Sequence, residues 1–139
     1  VALFLGTATL FAVSFNWPVS LVVIAMGLIG YSVANHVLNT YDDETHTLFL
    51  SIVWGLVMAE IAWVAYHWTI AYSLPFVESL SLPQAAIIVT LVSFIAQRAY
   101  DSFYHHQKIR TADLMLPLLF SVSVIALLIF VFNRVGTTI

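Results

Sequence analysis

Five side chains in two polar stretches, and a sixth inside an apolar run, carry the chemistry this chain could perform. His36, Asp42 and Asp43 fall in SVANHVLNTYDDE, and Asp101 and His105 fall in QRAYDSFYHH. Imidazole nitrogens and carboxylate oxygens together can hold a divalent ion. A zinc with three protein ligands keeps a fourth position for an activated water. The chain has no cysteine, so His, Asp and Glu are its available metal ligands. Such a centre would hydrolyse an amide or ester at a lipid surface, with zinc as its cofactor; outside that reading no cofactor is expected.

The sixth is Glu60, the one carboxylate in VWGLVMAEIAWVAYHW, residues 53–68. At the middle of a membrane helix a charged side chain costs ~2.5–3.5 kcal/mol on insertion scales, and neutralising a glutamic acid of ordinary pKa ~4.3 at pH 7 costs about 3.7 kcal/mol. These magnitudes are too close to choose a protonation state, so the choice falls to whatever lies level with the carboxyl. At ~1.5 Å per helical residue, Thr90 comes to the depth of Glu60, Ser93 lies slightly deeper, Ser121 and Ser123 lie one or two turns below, and Arg98 is ~12 Å away along the axis. The expected arrangement is a neutral Glu60 donating a hydrogen bond between helices, with Thr90, Ser93 and Ser123 as acceptors and an Arg98 ion pair as second choice. The alternative is a proton- or ion-coupled transporter centred on Glu60, because acids inside membranes mark such pathways.

Ser32-Val33-Ala34-Asn35-His36 resembles the first half of the Ser-x-x-x-His pattern of the alkaline ceramidase and hemolysin III superfamily. The resemblance implies metal-dependent hydrolysis of a lipid and a bundle of seven spans. It covers one short motif: the family's later His-x-x-x-His is absent, Asp101-x-x-x-His105 is a partial stand-in, and five apolar segments stand in place of seven. The same residues also suit a helix end that has reached water, with Asp101 pairing Arg98 at i,i+3 and His105, His106 and Lys108 forming a weakly basic edge against headgroups.

The elements that must position these groups follow from composition. Of the 139 residues, 62% are hydrophobic and 8% charged, and the mean hydropathy is +1.01. That is too little polar surface to coat a soluble globule of this length, so the lipid bilayer is the expected solvent and partner. A net charge of −3 with only four Lys plus Arg offers no basic patch for phosphates, which excludes nucleic acid.

Before Asp42 the chain holds no Asp, Glu, Lys or Arg, about twice the ~20 residues one helix needs to cross the hydrocarbon, so it must fold back. Asn16-Trp17-Pro18 supplies the break. Helices are predicted over about 1–15, 18–40, 47–73, 83–106 and 114–133, with Pro75 ending the third and Pro117 in the first turn of the fifth. Trp54, Trp63, Tyr66, Trp68 and Tyr72 lie along the third, those near its far end at the interface. Gly27, Gly30 and Ala34, and Gly55, Ala59, Ala62 and Ala65, offer small-residue faces for close helix packing. Lys108 and Arg110, with Arg98 nearby, predict that loop 106–113 is cytoplasmic; alternation puts loop 41–46 on the same side, and 74–82 and Arg134 outside. The expected fold class is therefore all-α: a polytopic transmembrane bundle of about five hydrophobic helices. Residues 1–139 read as a single domain, cut from a longer chain because no initiator Met or charged leader opens it. The expected role is a non-catalytic scaffold or subunit of the cell membrane, associating with other membrane subunits. A metal-dependent lipid hydrolase and a Glu60 transporter are its rivals.

Overall fold

The computed structural model describes residues 1–67, 70–74, 77–132 and 137–138. Five α-helices run through them: α1 Ala2–Val13, α2 Val19–Leu38, α3 Thr47–Tyr66, α4 Gln84–His106 and α5 Thr111–Phe130. The last four are long and apolar enough to cross a membrane. At ~1.5 Å per residue α1 reaches only ~18 Å, too short to span by itself. A single 3-10 turn, Ser14–Asn16, and Pro18 at the head of α2 make the expected fold-back. Pro18 sits at ψ 143, an extended conformation that ends one helix and begins the next.

Two boundaries differ from expectation. The third helix stops at Tyr66, seven residues before Ser73, and the chain reverses through an antiparallel hairpin of β1 Ile70–Leu74 and β2 Val77–Pro83, where a turn was expected. A two-residue β3, Thr137–Thr138, pairs with the other edge of β1, giving the order β2-β1-β3. β-Branched residues such as Ile70, Val77, Thr137 and Thr138 suit that extended backbone. Tyr72 is thus a strand residue, while Trp68, Pro75 and Arg134 fall outside the described residues. The fifth helix starts at Thr111, which puts Asp113 in its first turn, near the positive end of the helix dipole. Pro117 therefore stands in the second turn, where its missing N–H leaves the Asp113 carbonyl without an i+4 donor.

The core joins Leu3 and Leu10 of α1, Val22 and Met26 of α2, Met58 and Ala62 of α3, and Val89 of α4. Small residues bring α2 and α3 together along their length, as their sequences predict: Gly27, Gly30 and Gly55 all face the opposite helix with no room for a larger side chain at Gly30 or Gly55. Helix α1 packs against α2 and α4, whereas α4 touches α3 only lightly and α5 rests on α4. Buried Gln84 opens α4 and ties three elements together: its amide donates to the Tyr72 hydroxyl at 2.9 Å and to the Leu128 carbonyl at 3.0 Å. The Tyr66 hydroxyl fastens the end of α3 to the Trp17 carbonyl at 2.9 Å.

Candidate functional site

The direction of Glu60 is set by the rest of α3. Ser51, Gly55, Met58, Ala62 and Ala65 are buried and recur at three- and four-residue spacing, one helix face. At ~100° per residue Glu60 lies ~180° from the middle of that face. Its side chain is exposed, at the centre of an exposed apolar surface made by Phe49, Ile52, Val53, Leu56, Trp63 and Val64. Glu60 makes no hydrogen bond or ion pair to any described residue.

The interhelical bond expected of Glu60 is therefore not formed. Thr90 donates to the Ala86 carbonyl of its own helix at 2.7 Å, and Ser123 is exposed on α5. Arg98 is exposed too, its guanidinium 5.5 Å from the centre of the Phe94 ring, and it pairs with neither Glu60 nor Asp101. The physical reason is the close crossing of α2 and α3: the small residues of α3 claim its inner face and turn Glu60 outward.

Of the five candidate metal ligands only Asp101 and His105 come together. His36 is exposed on α2, and Asp42 and Asp43 are exposed in the following loop. Asp101 accepts a hydrogen bond from the Tyr41 hydroxyl at 3.3 Å and lies 3.4 Å from Nδ1 of His105. Among the described residues no three His, Asp or Glu side chains converge on a point that could hold a metal ion. Tyrosines occupy the space between the two polar stretches: the Tyr41 ring lies 5.0 Å from Tyr100 and 4.7 Å from Tyr104. Burial, then the Asp101 charge and its hydrogen bond, and then Tyr104 push the Tyr41 hydroxyl above its ordinary pKa. The Tyr100 hydroxyl donates to Glu44, whose other oxygen accepts from the His46 backbone N–H at 2.7 Å. What the two polar stretches build is a tyrosine–carboxylate clasp between the α2–α3 loop and α4. Its signal in the sequence is the i,i+4 pair Tyr100 and Tyr104.

At the α4–α5 turn Ser102, His106 and Asp113 have the composition of a nucleophile, base and acid, but a different geometry. The buried Ser102 hydroxyl donates straight to Asp113 at 2.8 Å and accepts from the Arg110 backbone N–H at 3.0 Å. Nε2 of His106 faces the Arg110 guanidinium at 3.0 Å, and its Nδ1 lies 3.2 Å from the Ser102 carbonyl oxygen rather than from the hydroxyl. These bonds hold a tight turn whose pivot, Gln107, has φ 54, a left-handed helix end.

Between α2, α3 and α4, beside the tyrosine clasp, lies a cavity of about 230 Å³. Its walls are mostly apolar, with Ser93, Gln97 and Tyr100 of α4 and Trp54 of α3 among its lining residues.

No protein-family model, curated protein or solved structure matches this chain. Ser32 and His36, which carry the resemblance to alkaline ceramidases, are both exposed and belong to no cluster of ligands among the described residues.

Proposed function

We propose that this chain is a non-catalytic, multi-pass subunit of a cell-membrane assembly, docking on a partner transmembrane helix through the outer face of α3. One observation carries the reading: Glu60, a carboxylate at mid-helix, is exposed at the centre of an apolar face and has no partner among the described residues. Facing lipid, that group is costly in either protonation state. A neighbouring helix with a hydrogen-bonding or basic side chain at the same depth removes the cost and gives the contact its register. A transporter built on Glu60 would need the carboxyl inside the bundle, on a path between its helices, and the packing of α3 points it the other way. Among the described residues the hydrolase reading lacks converging ligands.

The test is photocrosslinking from Leu56 and Trp63 in the membrane, with Leu119 on α5 as control. The expected result is a discrete higher-mass adduct from the two α3 positions, weakened at least tenfold by Glu60→Leu, with no matching adduct from Leu119. Twice the chain mass identifies a second copy, and any other mass a different subunit. Absence of the adduct, or its persistence in Glu60→Leu, overturns the reading. The same proposal puts loops 41–46 and 106–113 in the cytoplasm, on the strength of Lys108, Arg110 and Arg98. Because the chain has no cysteine, single cysteines at Asp43 and Lys108 report this cleanly: an impermeant maleimide leaves both unlabelled in intact cells.

A further inference from the structure

Resting on the proposal that α3 docks a helix through its outer face, we infer that this helix is α3 of a second copy of the chain, parallel and in register, with the two Glu60 carboxyls hydrogen-bonded to each other. Phe49, Val53, Leu56, Glu60, Trp63 and His67 are all exposed, and they follow one another at steps of four, three, four, three and four residues. A mean step of about 3.5 residues is that of a helix pair wound left-handed, in which such side chains stay on one line facing the partner instead of drifting round the helix. At ~100° per residue the line runs opposite the buried face of Gly55, Met58 and Ala62, so packing on α2 leaves it free.

Glu60 selects the occupant of that line. It is the only Asp, Glu, Lys or Arg of Thr47–Tyr66. A protonated carboxyl has one O–H to donate and oxygen lone pairs to accept, so it is complementary to a copy of itself. Two of them exchange a reciprocal pair of hydrogen bonds, and one facing a carboxylate makes a single short, charge-assisted bond. Copies of one sequence enter a membrane in one orientation, so a two-fold axis along the membrane normal sets every residue at the depth of its own counterpart. Among the described helices the only Lys or Arg is Arg98, which lies ~12 Å away along the axis and cannot meet Glu60 across that two-fold. A slip of one heptad would set the carboxyls against Val53 and His67 of the other copy. One polar group in an apolar seam thus fixes the register.

The test uses the full chain in its membrane and exploits the absence of cysteine. Single substitutions Leu56→Cys and Trp63→Cys lie on the line, and Leu48→Cys lies ~100° from Phe49 and off it. A disulfide needs Cα atoms within ~7 Å, which a parallel, in-register pair gives to equivalent residues at both line positions. The expected result on mild oxidation is a disulfide dimer from Leu56→Cys and Trp63→Cys at least tenfold above that from Leu48→Cys. In the Leu56→Cys chain, Glu60→Gln keeps a donor and an acceptor and holds the yield within twofold, whereas Glu60→Leu lowers it at least tenfold. Glu60→Lys does not dimerise with itself but pairs with a longer, tagged chain that retains Glu60. Equal yields at the three positions, or a yield unchanged by Glu60→Leu, overturns the inference. If Glu60→Lys does not insert, the Gln and Leu substitutions decide. A photocrosslinked adduct of any mass other than twice the chain, without the disulfides, leaves the docking proposal standing and overturns this one; loss of every adduct overturns both.

Discussion

The carbonyl oxygen of Gly27 stands 2.9 Å from the point that a β-carbon on Gly55 would occupy, so α2 and α3 cross with backbone against backbone. The relationship is not symmetric. A β-carbon on Gly27 would meet the Gly55 carbonyl at 3.4 Å and the Ala59 side chain at 3.5 Å, ordinary contacts. Gly55→Ala therefore forces the helices apart and is expected to cost ~1–3 kcal/mol, as overpacking does in a close-packed interior. Gly27→Ala is expected to be nearly neutral. Unfolding of the two variants in mixed micelles checks the difference, and equal stabilities would show that the two helices do not cross here.

Gln84 is the only described residue through which hydrogen bonds reach both the hairpin and α5 at once. Gln84→Leu keeps the bulk but leaves the Leu128 carbonyl and the Tyr72 hydroxyl without this donor, at ~1–3 kcal/mol for groups screened from water. The loss falls on the α4–α5 contact first, because α5 packs on α4 and on little else. Hydrogen exchange at residues 124–130 should accelerate in Gln84→Leu while exchange across α2 and α3 stays unchanged.

Much of this arrangement is legible in the sequence, for identifiable reasons. Uncharged runs bounded by Pro18, the acids at 42–44 and Pro83 place the long helices to within a few residues except at the end of α3, which stops seven residues early. The glycines and alanines of α2 and α3 mark the closest crossing. The angle between Glu60 and the Gly55, Ala62, Ala65 face is also written in the spacing, at half a turn, and it argues against a bond to α4 or α5. Depth matching, which brings Thr90 level with Glu60 and Ser123 within one or two turns of it, ignores that angle. The hairpin is harder to see, since residues 67–74 are apolar enough to continue a helix. The clasp depends on which faces of distant elements meet, and Tyr41 lies 60 residues from Asp101. No local period carries such a contact.

The Ser102 hydroxyl both donates to Asp113 and accepts from the Arg110 N–H, so its removal strands two partners with one substitution. Ser102→Ala is expected to destabilise the α4–α5 turn by ~1–2 kcal/mol, in the range for a buried bond to a charged acceptor. Asp113→Asn keeps an acceptor for Ser102 and should cost less. The observable is local opening: limited proteolysis at residues 107–110 should speed up in Ser102→Ala well before global unfolding changes. If Asp113→Asn proves the more damaging of the two, the charge near His106, 3.8 Å away, matters more than the serine bond.

Tyr41 gives the chain a testable response to alkali. Burial raises its pKa above the ordinary ~10, and the neighbouring Asp101 charge, the hydrogen bond to it and Tyr104 act in the same direction. The folded protein thus holds the phenolic proton more tightly than the unfolded chain does. Stability from the clasp is fully present below about pH 10 and is lost as pH rises through the higher folded value. Titration of phenolate absorbance should show a late step that Tyr41→Phe removes and that Asp101→Asn moves to lower pH, because the Asp101 charge is lost while an amide oxygen remains to accept the hydrogen bond. At neutral pH Tyr41→Phe should cost under about 1.5 kcal/mol, since the bond is 3.3 Å long and only partly buried. Stability measured against pH separates this from simple loss of packing. The alkaline limb flattens in Tyr41→Phe if the raised Tyr41 phenol governs it, and keeps its slope if Tyr41 contributes only its ring contacts with Tyr100 and Tyr104.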